Sequence, residues 1–204
     1  MEEREAFFNA LAEQHWAVSD TLIPAQLYES LYHACRRKWE AGHFREARIG
    51  RQHSESLRME IRGDSICWMT PDNAGTEADD FLAWADTLRQ ELNREFYAGL
   101  NSAEFHFARY SEGRGYKKHL DQHQQNTQRR ISLVLYLNHQ WSDTDGGELC
   151  LYSPDDDTVE IRRILPQPRR LVVFRSDLIP HEVLPCAQPR WSLTGWFRSD
   201  HIPD

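Results

Sequence analysis

The chain reads as an α+β protein whose helices come first and whose strands come after. Two observations carry that reading. Up to about residue 100 the apolar residues recur at helical spacing, and from Glu104 onward the period drops to two. Eight short alternating runs then follow: EFHFARY, GYKKHLD, RRISLVLYLN, GGELCLYS, TVEIRRI, RRLVVFRS, HEVLP and RWSLTGWFR. Turn residues separate them, and evenly spaced strands of this kind suggest a sandwich or barrel.

The helical part divides at its punctuation. Phe7, Leu11 and Trp16 give a short amphipathic stretch, and AVSDTLI after it is strand-like. Pro24 suits the first turn of a helix through AQLYESLYHACRRKWEAG, which stops at Gly42. A second helix is expected over EADDFLAWADTLRQELNREFYAG, with Phe81, Trp84, Leu88, Leu92 and Phe96 on one stripe. Such a stripe builds core. The sequence predicts one domain over 1–204: residues 1–100 as helical support plus a loop, and 104–198 as the β-core.

Composition bounds the function classes. The chain has 204 residues, enough for a real core, and a formal net charge of −8, which argues against a nucleic-acid partner. No apolar run reaches the roughly 18 residues of a membrane span. The acidic start MEEREAFFNALAEQHW is unlike a secretory signal, and the four cysteines show no CxxC spacing, so a reduced, cytoplasmic protein is expected. Arg45, Arg48, Arg51, Arg58 and Arg62 concentrate ahead of the β-core. That run reads either as a solvated loop or as a lid over 45–62 that closes on a substrate.

The chemistry concentrates in three places. His119 and Asp121, if GYKKHLD is a strand, share one face. An HxD triplet alone is weak in a chain with ten histidines. His181 raises its weight: two imidazoles and one carboxylate are the ligand set of non-haem Fe(II) sites, leaving one octahedral face open. Arg190 then heads a strand on which Arg190, Ser192, Thr194 and Trp196 alternate against Trp191, Leu193 and Phe197. An arginine on an inward face is costly unless a carboxylate is gripped there, and its planar fork suits that task. The alternative for Arg190 is a surface salt bridge. On RRISLVLYLN, Tyr136 extends toward the same cavity or simply packs in the core.

The segment from Phe105 to Arg198 resembles the prolyl 4-hydroxylase superfamily of 2-oxoglutarate- and Fe(II)-dependent oxygenases. The pieces that carry the likeness are ARYSEGRGYKKHLD, VLYLN, DGGELCLY and HEVLPCAQPRWSLTGWF. Upstream, IRGDSICW resembles the oxygen-sensing prolyl hydroxylases and their bacterial relatives. The resemblance implies a double-stranded β-helix (jelly roll) and iron bound by His119, Asp121 and His181. It further implies 2-oxoglutarate held by Arg190, with Tyr136 and Thr194 adding hydrogen bonds, Tyr110 and Trp196 flanking, and Trp68 near the entrance. An ion pair between Asp64 and Arg129 is expected by the same likeness.

The implied reaction spends dioxygen and 2-oxoglutarate to hydroxylate a C–H bond, with ascorbate as reductant. The expected substrate is a proline in another cytosolic protein, with elongation factor Tu the natural candidate. Competing expectations are the same chemistry on another residue type or a free small molecule, and a cupin-like metal module without oxygenase activity. Arg190 speaks against the last, which needs no carboxylate clamp. Substrate choice is assigned to the loop between Phe44 and Glu60 and to the C-terminal tail.

Overall fold

The computed structural model describes residues 2–47, 61–69, 76–122 and 127–201. Among the described residues three helices precede or interrupt the first strands: α1 (Glu2–Gln14), α2 (Ala25–Glu40) and α3 (Thr76–Phe96). The strands are β1 (Trp16–Ser19), β2 (Arg45–Glu46), β3 (Asp64–Trp68), β4 (Ser102–Tyr110), β5 (Tyr116–His119) and β6 (Arg129–Tyr136). They continue as β7 (Leu149–Tyr152), β8 (Glu160–Ile164), β9 (Leu171–Arg175), β10 (His181–Val183) and β11 (Arg190–Arg198). All eight strands expected after Glu104 form.

They assemble into two antiparallel sheets. The major sheet has seven strands in the order β1-β9-β6-β11-β4-β3-β2, and the minor sheet has four, β5-β10-β7-β8. This is the jelly-roll arrangement, with helices covering one face of the major sheet.

Alternation decides which residue faces which layer. In the major sheet Phe105, Phe107, Leu133, Leu135, Leu193 and Phe197 pack toward the helices, where Phe7, Leu11, Leu31, Phe81, Leu88 and Leu92 meet them. Their neighbours along the strands point the other way. Val134, Tyr136, Val172 and Phe174 join Leu149, Leu151 and Val183 of the minor sheet in a second apolar cluster. The major sheet is covered on both faces, by the helices on one and by the minor sheet on the other, which is why β6, β9 and β11 read as nearly continuous apolar runs.

The predicted helix ends hold. Pro24 caps α2 with φ −58, and Gly42 closes it at φ +72. There the Gly42 N–H bonds Trp39 O and the His43 N–H bonds Lys38 O, a paired C-terminal closure that a left-handed glycine makes cheap. The strand expected at GGELCLYS is shorter, starting at Leu149, because Gly146 and Gly147 turn at φ +65 and +68. No helix among the described residues is long and apolar enough to cross a membrane. Most of the expected lid, residues 48–60, and the tail from 202 lie outside the described residues.

Candidate active site

The open space between the sheets is a cleft of 1890 Å³ lined from both. The inward rows of the major sheet form its floor, and cross-strand register sets their order. Asp64, Tyr110 and Arg190 make one row; Ile66, Ala108, Ser192 and Tyr136 the next. Trp68, His106, Thr194 and Val134 follow, and then Glu104, Trp196, Ser132 and Phe174. One end of the floor therefore carries a guanidinium and tyrosines, and the other carries aromatic rings.

His119 and His181 face each other as ladder partners of β5 and β10. Their rings lie 4.3 Å apart between centroids. Each Nδ1–H is committed to a backbone carbonyl, His119 to Lys117 O at 2.7 Å and His181 to Ile179 O at 3.0 Å. Both imidazoles consequently present an Nε2 lone pair inward, since the tautomer follows the bond the other nitrogen makes. Asp121 completes the set, with Oδ1 3.6 Å from His119 Nε2 and Oδ2 3.7 Å from His181 Nε2.

The carboxylate arrives by a route the strand pattern did not predict. β5 ends at His119, so Asp121 shares no pleat with it. A bend carries Asp121 across to the major sheet, where the Ser132 hydroxyl donates to its Oδ2 at 2.6 Å. Gln122 anchors the bend through its N–H to Ser176 O. Burial alone would raise the Asp121 pKa, yet His181, His119 and Ser132 together hold it well below the carboxylate range. Burial and the neighbouring His119 push His181 down to about 4. The three ligand atoms lie within 4.8 Å of one another. One carboxylate and two Nε2 lone pairs, all converging, fit a divalent transition-metal ion.

Arg190 supplies the second feature. It is 2% exposed, and its Nε donates to Gly147 O at 2.8 Å. Its guanidinium carbon sits 4.9 Å from the Tyr136 ring centroid and 5.3 Å from that of Tyr110. No carboxylate pairs with it among the described residues. A buried guanidinium without an anion is costly, so the site is built to receive one. The Tyr136 hydroxyl, fully buried beside it, has no hydrogen-bond partner among the described residues. Tyr136 is fully buried in the floor beside Arg190, whereas Tyr110, Thr194, Trp196 and Trp68 line the open cleft. The Thr194 hydroxyl stands 3.3 Å from that of Ser192.

One expected contact is not made. Asp64 is held by Arg62, whose Nε lies 2.7 Å from Oδ1, and Arg129 is held by Glu104 at 2.9 Å. Register explains the difference. Asp64 stands opposite Tyr110 of β4, while Arg129 is level, through Arg198, with Ser102 at the far end of that strand. Eight residues of strand separate them by ~25 Å, beyond the reach of two side chains. Arg129 instead lies flat on Trp196, 3.3 Å from its centroid.

Four residues escaped sequence reasoning. Arg62 is bonded to Asp64 through two nitrogens, and Tyr116 stacks on His119 with centroids 3.7 Å apart. Ser132 orients the carboxylate, and His106 sits between Trp68 and Trp196. The alternation of β4 and β6 already put His106 and Ser132 on inward faces; nothing local marked Tyr116.

Comparison with known proteins agrees with this geometry. A family model described as the 2OG-Fe(II) oxygenase superfamily matches residues 105–198. A Pseudomonas putida prolyl-4-hydroxylase of known structure is 39% identical, with a TM-score of 0.84, covering 96% of this chain and 98% of that one. A Trichoplax adhaerens prolyl hydroxylase, solved with a hypoxia inducible factor peptide fragment, is 25% identical with a TM-score of 0.82, covering 97% and 90%. The hypoxia-inducible factor prolyl hydroxylase of Caenorhabditis elegans is 28% identical over 95% of this chain, and human Egl nine homolog 1 is 27% identical over 88%. This chain spans only 28% and 43% of the lengths of those two relatives. The family's cofactors are Fe(II), 2-oxoglutarate and dioxygen, and the residues fit them: the triad for the metal, the unpaired Arg190 and Tyr136 hydroxyl for a carboxylate. The chain belongs to the 2OG-Fe(II) oxygenase superfamily, among its prolyl-hydroxylase-type members.

Proposed function

We propose that this protein is a 2-oxoglutarate- and Fe(II)-dependent dioxygenase that hydroxylates a prolyl residue of another protein. The observation that carries the reading is the buried, unpaired Arg190 facing the cleft that also holds His119, Asp121 and His181. A carboxylate clamp and a two-His, one-carboxylate triad in one cleft match the requirement for both a dicarboxylic cosubstrate and a metal.

When bound, Fe(II) supplies the oxidising chemistry that converts dioxygen, 2-oxoglutarate and a C–H bond to succinate, carbon dioxide and a C–OH group. The protein's residues do the rest. His119, Asp121 and His181 would hold the metal, with the Nδ1–H bonds to Lys117 O and Ile179 O fixing both rings. Arg190 would grip the distal carboxylate of 2-oxoglutarate through its planar fork, and the Tyr136 and Thr194 hydroxyls would add hydrogen bonds. Trp196, Trp68 and His106 form an aromatic wall that excludes water from the reacting bond and offers an apolar face to a pyrrolidine ring.

A protein segment is favoured over a free small molecule by the size of the cleft. Its 1890 Å³ exceeds the ~300–1,000 Å³ of small-molecule sites. Elongation factor Tu in the cytoplasm is the first substrate to assay, with ascorbate as reductant. The test incubates the purified chain with Fe(II), 2-oxoglutarate and either elongation factor Tu or unfractionated lysate. Succinate release with a gain of one oxygen on a proline is expected. Turnover on free proline, with no modified protein, would overturn the reading.

A further inference from the structure

The aromatic wall contains two polar atoms with nothing to bond. His106 is 1% exposed and Trp196 4%, and neither His106 Nδ1 nor Trp196 Nε1 has a hydrogen-bond partner among the described residues. Their rings lie 5.5 Å apart at 33°, and both belong to the cleft lining. Buried polar atoms are nearly always paired, because leaving one unmade forfeits its hydration. Stacking alone does not explain a histidine here. Trp68 covers His106 at 4.8 Å, a contact that a leucine or phenylalanine would make without stranding a nitrogen.

What the pair can bond is set by its chemistry. The indole N–H only donates. Burial first, then the nearby Arg62 guanidinium, hold the imidazole neutral, with a pKa near 3. A neutral imidazole with its proton on Nε2 offers an Nδ1 lone pair. One donor beside one acceptor suits a carbonyl and an amide N–H taken from two successive peptide units. Both atoms are shut off from water beside Trp68, which at 38% exposed is the ring solvent reaches. A partner for both therefore comes from what enters the cleft they line.

Resting on the prolyl-hydroxylase reading above, we propose that His106 is a specificity-determining residue that, with Trp196, reads the peptide units on either side of the target proline. Trp196 Nε1–H donates to a carbonyl flanking the target proline, and His106 Nδ1 accepts the amide N–H of the residue after it. A free amino acid has no such unit, so the pair selects peptidyl proline.

Two blocked prolines separate this role from packing. N-acetyl-proline N-methylamide carries the amide N–H, and N-acetyl-proline dimethylamide lacks it. Binding to the full chain, loaded with Mn(II) and 2-oxoglutarate, is followed by tryptophan fluorescence. Wild type is expected to bind the methylamide about tenfold more tightly, equivalent to ~1.4 kcal/mol. His106→Leu, shown folded by its melting curve, should shrink the ratio to below about twofold, and His106→Asn should keep most of it. Equal binding in wild type, an unchanged ratio in His106→Leu, or no binding of either probe would overturn the inference. The lysate hydroxylation assay decides the prolyl reading separately, since it does not depend on how these probes bind.

Discussion

The hydroxyl of Ser132, in the major sheet, donates a 2.6 Å hydrogen bond to Oδ2 of Asp121, which hangs from the end of the minor sheet. Ser132 also contacts the Ser176 hydroxyl at 2.8 Å, so the carboxylate is oriented by a fully buried polar pair. Ser132→Ala should weaken Fe(II) or Mn(II) binding by about 10–100-fold, the usual cost of losing a partner that orients a metal ligand. Metal titration by calorimetry measures this. An affinity unchanged in Ser132→Ala would show that the bend at Asp121 holds the carboxylate unaided.

Arg190→Ala should raise the 2-oxoglutarate concentration needed for half-maximal succinate release. Breaking a buried charge pair from one side costs ~3–5 kcal/mol, so the rise should exceed a hundredfold. Arg190→Lys should recover only part of it, because an ammonium on a flexible stem replaces a planar fork. Equal cosubstrate dependence in wild type and Arg190→Ala would move the clamp elsewhere.

Asp64 stands next to Arg62 and a strand's length from Arg129. A double-mutant cycle on Arg62 and Asp64 should give a coupling above about 1 kcal/mol, because the Asp64 side chain is 2% exposed and bonded twice. The same cycle on Asp64 and Arg129 should give none, as sites this far apart add. Chemical denaturation of wild type and the five variants reads both values.

His106 gives a pH signature. Its pKa lies near 3 in the folded chain against an ordinary 6.5, so the unfolded chain binds the extra proton. A depressed pKa contributes stability in full above pH 6.5 and loses it progressively as pH falls toward 3. The slope is at most about 1.4 kcal/mol per pH unit. His106→Asn should therefore lose less stability than wild type between pH 6.5 and 4. Parallel unfolding curves for the two across that window would show that His106 is free to charge in the fold.

The legible parts of this protein were those where a period speaks. The alternation in RWSLTGWFR separated Arg190, Ser192, Thr194 and Trp196 from Trp191, Leu193 and Phe197, and the two groups do face the cleft and the helices. The triad was legible as residue types, but not the path to it. Asp121 reaches the histidines through a bend, and a bend leaves no periodic trace. The distance between Asp64 and Arg129 was not legible because it depends on where β3, β11 and β6 stand against β4, and register between distant strands is not written in any one of them. Tyr116 stacking on His119 was invisible for a related reason: residues three apart on a strand point to opposite faces unless the strand is irregular, and β5 meets β10 with a register shift.

His119 and His181 are opposite one another on adjacent strands, so their separation is set by backbone ladder spacing, ~4.8 Å, and not by any ion. The cation site is finished once the sheet closes and the bend seats Asp121 against Ser132. Stripping the metal should leave a folded chain, and restoring it should add only the stability that mass action gives a native-state ligand. A site completed in advance also cannot shape itself around a preferred ion. Nitrogen and oxygen donors at fixed positions hold cobalt, nickel and zinc more tightly than ferrous iron. Which ion fills the site is then decided by supply around the protein, and a zinc- or nickel-rich surrounding becomes an off switch that no residue of the chain has to provide.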